Sequence, residues 1–217
     1  MKLRMAWLII CLVLAAVPVS AQVLYDNGPI NGTVDAWTIN FGYIVSDTFT
    51  LLNNSTVGGF NFGDWEFPGD TLTSVDWSIT SRENGGTLLA SGTASGQNLI
   101  DQFISLNQYG YDIDEIHVSG LNVPLNAATY WLNLQNALVP SGDPVYWDEN
   151  SGVGCGGDNG KGGSCPSMPS ENSVGTIASE SFTVVGPNGG STPEPSSFFL
   201  LASGVLGVVG LLRRGRF

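Results

Sequence analysis

The sequence predicts an all-β protein, an antiparallel two-sheet β-sandwich of jelly-roll type, with an N-terminal signal helix before it and a C-terminal transmembrane helix after it. Three observations predict this. Between Gln22 and Thr192 no segment sustains a helical period. The same span alternates short runs rich in Thr, Val, Ile and aromatics with clusters of Gly, Asn, Asp and Ser. Both ends, by contrast, are apolar runs flanked by basic residues. The expected divisions are a signal peptide at 1–21, a sandwich domain at 22–186, a Gly/Pro/Ser linker at 187–197, and a membrane helix with a basic tail at 198–217.

The N-terminus comes first. Lys2 and Arg4 precede an apolar run from Met5 to Val17. Pro18 breaks the run, and Val19-Ser20-Ala21 presents the pattern a signal peptidase reads, with cleavage between Ala21 and Gln22. The run is too short to favour a stable membrane span.

Next come the strands. Trp37, Ile39 and Phe41 share one face of a predicted strand, as do Val75, Trp77 and Ile79, and Tyr130, Leu132 and Leu134. Further strands are predicted at Ile44–Leu51, Val57–Phe62, Thr87–Ser91, Leu99–Leu106, Ile113–Val118 and Ser179–Val185. Turn signals separate them, among them Asp26-Asn27-Gly28-Pro29, Pro68-Gly69-Asp70, Asn84-Gly85-Gly86 and Ser95-Gly96. Nine or more short strands without a fixed repeat favour a sandwich over a solenoid or propeller.

Cys11 leaves with the signal peptide. Cys155 and Cys165 remain, an even pair in an exported chain, which predicts a disulfide closing the Gly-rich loop between them.

The C-terminal segment has three parts in order. A Gly/Pro/Ser-rich linker contains Pro193, Glu194 and Pro195. An uncharged apolar stretch runs from Phe198 to Leu212, close to the shortest helix that crosses a hydrocarbon core. Arg213, Arg214 and Arg216 follow, and their charge keeps that end cytoplasmic. This arrangement resembles the PEP-CTERM sorting signal of Gram-negative bacteria. The resemblance is confined to about the last 25 residues, by the order of those parts. It implies a membrane-embedded processing protease, an exosortase, as partner. It also implies export through the inner membrane, transient anchoring by the C-terminal helix, and delivery to the cell surface or exterior. Proteins carrying this tail often accompany exopolysaccharide and biofilm production, so exopolysaccharide is a second implied partner.

Charge narrows the function classes. Between Gln22 and Thr192 stand eighteen acidic residues and two basic ones, Arg82 and Lys161, for a net charge near −16. Nucleic acid and anionic lipid need basic surface, and none is available here.

Catalytic constellations are poorly represented. The single histidine, His117, falls on the polar face of its strand with Glu115 and Ser119. There is no Gly-x-Ser-x-Gly elbow and no two-histidine metal motif. The expectation is a non-enzymatic surface or matrix protein. One alternative is a carbohydrate-binding module. Its candidate contacts are Trp131 and Asn133, on the outward parity of their strand, and Trp65 and Trp147, on acid-rich segments read as loops. A glycoside hydrolase using paired carboxylates such as Asp64/Glu66 or Asp112/Asp114 is the second alternative. No cofactor is required by any motif. Calcium is a candidate ligand, because the oxygen-rich stretches Asp64–Asp70, Asp112–Glu115 and Asp143–Asn150 offer hard ligands. The candidate metal residues are Asp64, Glu66, Asp70, Asp112 and Asp114.

Overall fold

The structure is a computed structural model that describes residues 22–150 and 170–187. The expected signal helix with Ala21, the Cys155–Cys165 pair, the sorting residues Pro193, Glu194, Pro195, Arg213, Arg214 and Arg216, and the expected membrane helix lie outside the described residues. Among those described, no helix is long and apolar enough to cross a membrane.

Fifteen strands follow one another along the described chain. They are β1 (Val23–Asp26), β2 (Ala36–Thr38), β3 (Ile44–Thr50), β4 (Ser55–Val57), β5 (Gly59–Glu66), β6 (Ser74–Arg82), β7 (Gly85–Ser95), β8 (Leu99–Leu106), β9 (Asp112–Val118), β10 (Val123–Leu125), β11 (Thr129–Leu138), β12 (Tyr146–Asp148), β13 (Ser170–Asn172), β14 (Gly175–Ile177) and β15 (Phe182–Val185). A single 3-10 turn, Gly96–Asn98, joins β7 to β8.

Two antiparallel sheets carry most of them. One runs β14-β13-β3-β11-β6-β7. The other is centred on β5, which pairs with β9 along one edge, and β9 pairs with β8 beyond it. Along its other edge β5 meets β15 at Gly59–Phe62 and then β12 at Asp64 and Trp65, with β1 and β2 outside these. A short β4–β10 pair stands apart.

Side-chain alternation explains the sandwich. Val45 and Phe49 of β3, Val75, Trp77 and Ile79 of β6, and Tyr130, Leu132 and Leu134 of β11 are all buried and point inward. They meet Phe60 and Phe62 of β5, Ile116 and Val118 of β9, and Phe182 and Val184 of β15. Edge-on aromatic contacts lock this core: Trp147 packs against Phe62 with centroids 6.1 Å apart and against Phe182 at 5.6 Å.

Three predicted segments need correction. The strand over Trp37, Ile39 and Phe41 ends at Thr38; Phe41 has φ of 54° and is 65% exposed, because the chain turns there and hands on to β3. The acid-rich stretch from Gly63, read as a loop, continues β5 as far as Glu66, and the predicted strand Ile113–Val118 starts one residue earlier, at Asp112, as β9. Within the third acidic stretch, Tyr146–Asp148 is strand β12. The remaining predicted turns fall between strands, with Asn84 and Gly86 in the positive-φ conformations that reverse the β6–β7 hairpin.

Candidate functional site

The inward row of β5 changes chemistry part-way along. Phe60 and Phe62 lie in the apolar core, but the next two inward residues are Asp64 and Glu66. The neighbouring strand does the same in register: Ile116 and Val118 are core, and Asp114 and Asp112 continue the row. Asp64 stands directly across from Asp114, and Glu66 across from Asp112. Asp101 joins from β8, on the inward parity of the buried Leu99. The loop from Phe67 to Thr73 covers this end. Its Leu72 amide donates to Asp101 Oδ2 at 2.7 Å, and its Gly69 amide donates to Asp112 Oδ2 at 3.2 Å. Asp70 in the same loop accepts from Ser141 Oγ at 2.6 Å.

Asp64 and Glu66 are both 0% exposed, and no hydrogen-bond donor reaches any of their four carboxyl oxygens. Their contact is with each other, and Asp101 and Asp114 form a second such pair. A carboxyl-to-carboxyl contact is attractive only when a proton or a cation lies between the two groups. No basic side chain among the described residues pairs with any of them. Arg82 ends β6 about 25 Å along the strand from Ser74, which follows the Phe67–Thr73 loop. Burial, followed by repulsion from Glu66 for Asp64 and from Asp101 for Glu66, raises both pKa values well above the carboxylate range. It also raises Asp101 and pushes Asp114 up to about 7. As the side chains stand, no three Asp, Glu, His or Cys groups among the described residues converge to hold a metal ion.

A second buried acidic group lies on the other side of the same sheet. Asp148 Oδ1 accepts from the Gly32 amide at 2.9 Å and from Trp65 Nε1 at 2.7 Å. Its Oδ2 accepts from the Asn31 amide at 2.9 Å and from Ser181 Oγ at 3.1 Å. Asp47 of β3 is satisfied in the same manner. The Thr48 amide donates to Oδ1, while Asn27 Nδ2, Ser179 Oγ and the Glu180 amide donate to Oδ2. Asn150 Nδ2 extends this network to the backbone carbonyls of Asn27 and Glu180. Both carboxylates hold the loop and strand ends together.

The five candidate metal residues are thus brought to one end of the interior, Asp70 and Asp112 at its half-buried rim and Asp64, Glu66 and Asp114 within. Asp101 is the member that sequence reasoning missed. Its inward parity with Leu99, two residues earlier, is the signal that identifies it.

The candidate glycan contacts fare differently. Trp147 is 0% exposed, its Nε1 donating to the Ser181 carbonyl at 2.9 Å, so it is a core residue and not a loop aromatic. Trp65 is buried on β5, hydrogen-bonded to Asp148 and stacked on Tyr109 at 5.8 Å. Asn133 does lie on the outer face, but it is buried, with Ser46, Ser78, Thr80 and the Asn84 amide around its side chain. Trp131 alone keeps a half-buried outward position. His117 is half-buried, with Nε2 3.9 Å from Glu115 Oε2.

Comparison with known proteins adds one match. A family description, the PEP-CTERM protein-sorting motif, matches residues 191–214. The C-terminal segment therefore carries the sorting motif that its Pro-Glu-Pro, apolar and arginine parts resemble, at the expected place. The motif implies export to the cell envelope of a Gram-negative bacterium and processing by an exosortase. No curated protein matches the chain.

Proposed function

We propose that this chain is a non-enzymatic surface or matrix protein, whose β-sandwich is the cargo and whose C-terminal segment is the delivery signal. The observation that carries the reading is the sorting motif at residues 191–214, standing directly after an all-β domain. The N-terminal run ending at Ala21 agrees with it, since a signal peptide and a C-terminal basic anchor set the same orientation.

The chemistry of the domain supports a role without catalysis. The carboxylates closest to one another lie under the Phe67–Thr73 loop, where a sugar ring cannot pass between them, and a glycosidase needs its two acids on either side of the scissile bond. The only histidine faces a carboxylate and no nucleophile. Binding of exopolysaccharide is the second reading, and it rests on Trp131, which offers a partly open indole on the outer face of β11.

The test is removal of residues 193–217 in the producing organism. The shortened protein is expected in the medium with an uncut C-terminus. The full-length protein is expected at the envelope or outside it, with its C-terminus trimmed near Glu194, as read by mass spectrometry. An unchanged location and an untrimmed natural C-terminus would overturn the sorting reading.

A further inference from the structure

Among the described residues, the carboxylates at the interior end of β5, β8 and β9 have no counter-charge and, at their centre, no donors. Asp64 and Glu66 are fully buried, and all four of their oxygens lack a hydrogen-bond donor. Removing an ionised carboxylate from water without compensation is far more costly than any single contact in the core repays. Such a group is retained only where something neutralises it. A shared proton does this within each carboxyl pair, and a cation that is small enough to fit between two strands and attracted to oxygen does it for the whole cluster at once.

We infer that Asp64, Glu66, Asp101 and Asp114 form a divalent-cation site, selective for calcium, with Asp112 at its rim. Three structural features support it. The registered pair Asp64–Asp114 places two inward carboxylates on adjacent strands, with Cβ atoms about 5 Å apart, so both reach an ion midway between them at calcium–oxygen distances of about 2.3–2.6 Å. Asp101 and Asp112 each accept a loop amide on one oxygen, from Leu72 and Gly69; Asp112 keeps its other oxygen for a ligand, and Asp101 does so once its contact with Asp114 opens. Those bonds also fasten the covering loop to the site. Finally, the cluster is closed on the core side and half-buried at Asp70, Asp101 and Asp112, which gives an ion a polar entry path.

In the described conformation the carboxyls meet two by two, Asp64 with Glu66 and Asp101 with Asp114, rather than three at one point. Binding therefore needs side-chain rotation, while the paired backbones of β5, β8 and β9 stay in place. Flexible, irregular, all-oxygen coordination is what calcium accepts and magnesium resists, because magnesium demands a near-ideal octahedron and keeps its water. The site also fits the compartment. Buried like charges oppose folding where calcium is scarce, inside the cell. Extracellular calcium modules work in the millimolar range, so the fold would consolidate after export.

The test uses the protein as the producing organism exports it, purified from the envelope fraction in mild detergent. Thermal unfolding is followed in a chelator, in calcium chloride and in magnesium chloride, and calcium binding is measured by titration calorimetry. One calcium per chain is expected. The expected rise in Tm is about 5–10 °C once calcium exceeds Kd a hundredfold, with a clearly smaller rise in magnesium. The double variant Asp64→Asn/Asp114→Asn should lose the calcium-dependent rise while unfolding in chelator no earlier than the unaltered protein, which shows that it folds. Asp35→Asn, at an exposed position, should keep the rise. Absence of a calcium-dependent rise in the unaltered protein would overturn the proposal. So would an equal rise in the double variant, since calcium would then be acting on the general acidic surface. If the double variant is already unfolded in chelator, the single variant Glu66→Gln takes its place, with the same two outcomes.

Discussion

Asp148 and Asp64 are separated by one strand pairing, and both are 0% exposed, yet their surroundings are opposite. Asp148 points away from the sandwich interior, under the loop through Asn31 and Gly32, and receives four donors on its two oxygens. Asp64 points into the interior, beside Glu66 and across from Asp114, and receives none. Their donors set the role of each carboxylate. A carboxylate saturated by backbone amides and an indole is a fastener, because its charge is solvated by the protein. A carboxylate with no donor is a debt to some other species, and it stabilises nothing until that species arrives.

Removing each charge in turn separates the two acids. Asp148→Ala leaves four donors buried without an acceptor, and the expected loss is about 3–5 kcal/mol in chemical denaturation. Asp64→Asn in chelator is expected to go the other way, with a gain of about 1–2 kcal/mol, because it relieves repulsion against Glu66 and supplies an amide that can donate to it. Two losses of similar size would mean that solvent or another group satisfies Asp64 in solution, and the contrast between the two acids would fail.

A carboxylate saturated with donors also gives stability a pH dependence. Asp47 is satisfied by donors like Asp148, yet burial pushes its pKa up to about 7 against their lowering effect. A carboxyl raised in the folded state binds its proton more tightly there than in the unfolded chain. Between about pH 4 and 7 the folded form is protonated while the unfolded form is not, so stability falls as pH rises through that window and is level above it. The slope belonging to Asp47 is at most about 1.4 kcal/mol per pH unit. Comparing the unaltered protein with Asp47→Asn over pH 4–8 isolates it, and the variant's stability curve should be flatter in that window. An identical slope would place the proton on another group.

Legibility in the sequence follows the same division between satisfied and unsatisfied groups. The apolar rows are plain, because alternation is a local property: Val75-Trp77-Ile79 and Tyr130-Leu132-Leu134 point inward as their spacing predicts, and Leu99–Leu106 is a strand with the predicted bounds. Alternation misleads where an inward row turns acidic. Phe60-Phe62-Asp64-Glu66 is a single face of β5, but hydropathy changes sign in the middle of it and makes the second half read as a loop. The acids themselves are visible, and five of the six that gather at the interior end are identifiable from spacing. What is not local is the register that places Asp64 across from Asp114, or the return of β8 that adds Asp101. Trp147 shows the converse error. Three acidic or amide neighbours suggest a surface aromatic, whereas Asp148, Glu149 and Asn150 are all buried in contacts with distant parts of the chain.

Trp131 and Asn133 provide the smallest effect and the closest test of outward position as a guide to function. They share the outer face of β11, two residues apart, and both follow the parity the sequence gives them. Asn133 is spent: its Oδ1 accepts from Ser46 Oγ and the Asn84 amide, and its Nδ2 donates toward Ser78 and Thr80. Trp131, between Thr48 and Thr80 in the cross-strand register, is half-buried and has no hydrogen bond that fixes its indole. Truncation to Trp131→Ala is therefore expected to cost only about 1 kcal/mol of stability, the share of its apolar surface that is covered. If the domain binds exopolysaccharide through this face, the same variant should lose that binding, because a sugar ring would stack on the part left open. Retained binding with a stability loss near 1 kcal/mol would make Trp131 a sheet-covering residue and move any glycan contact away from β11.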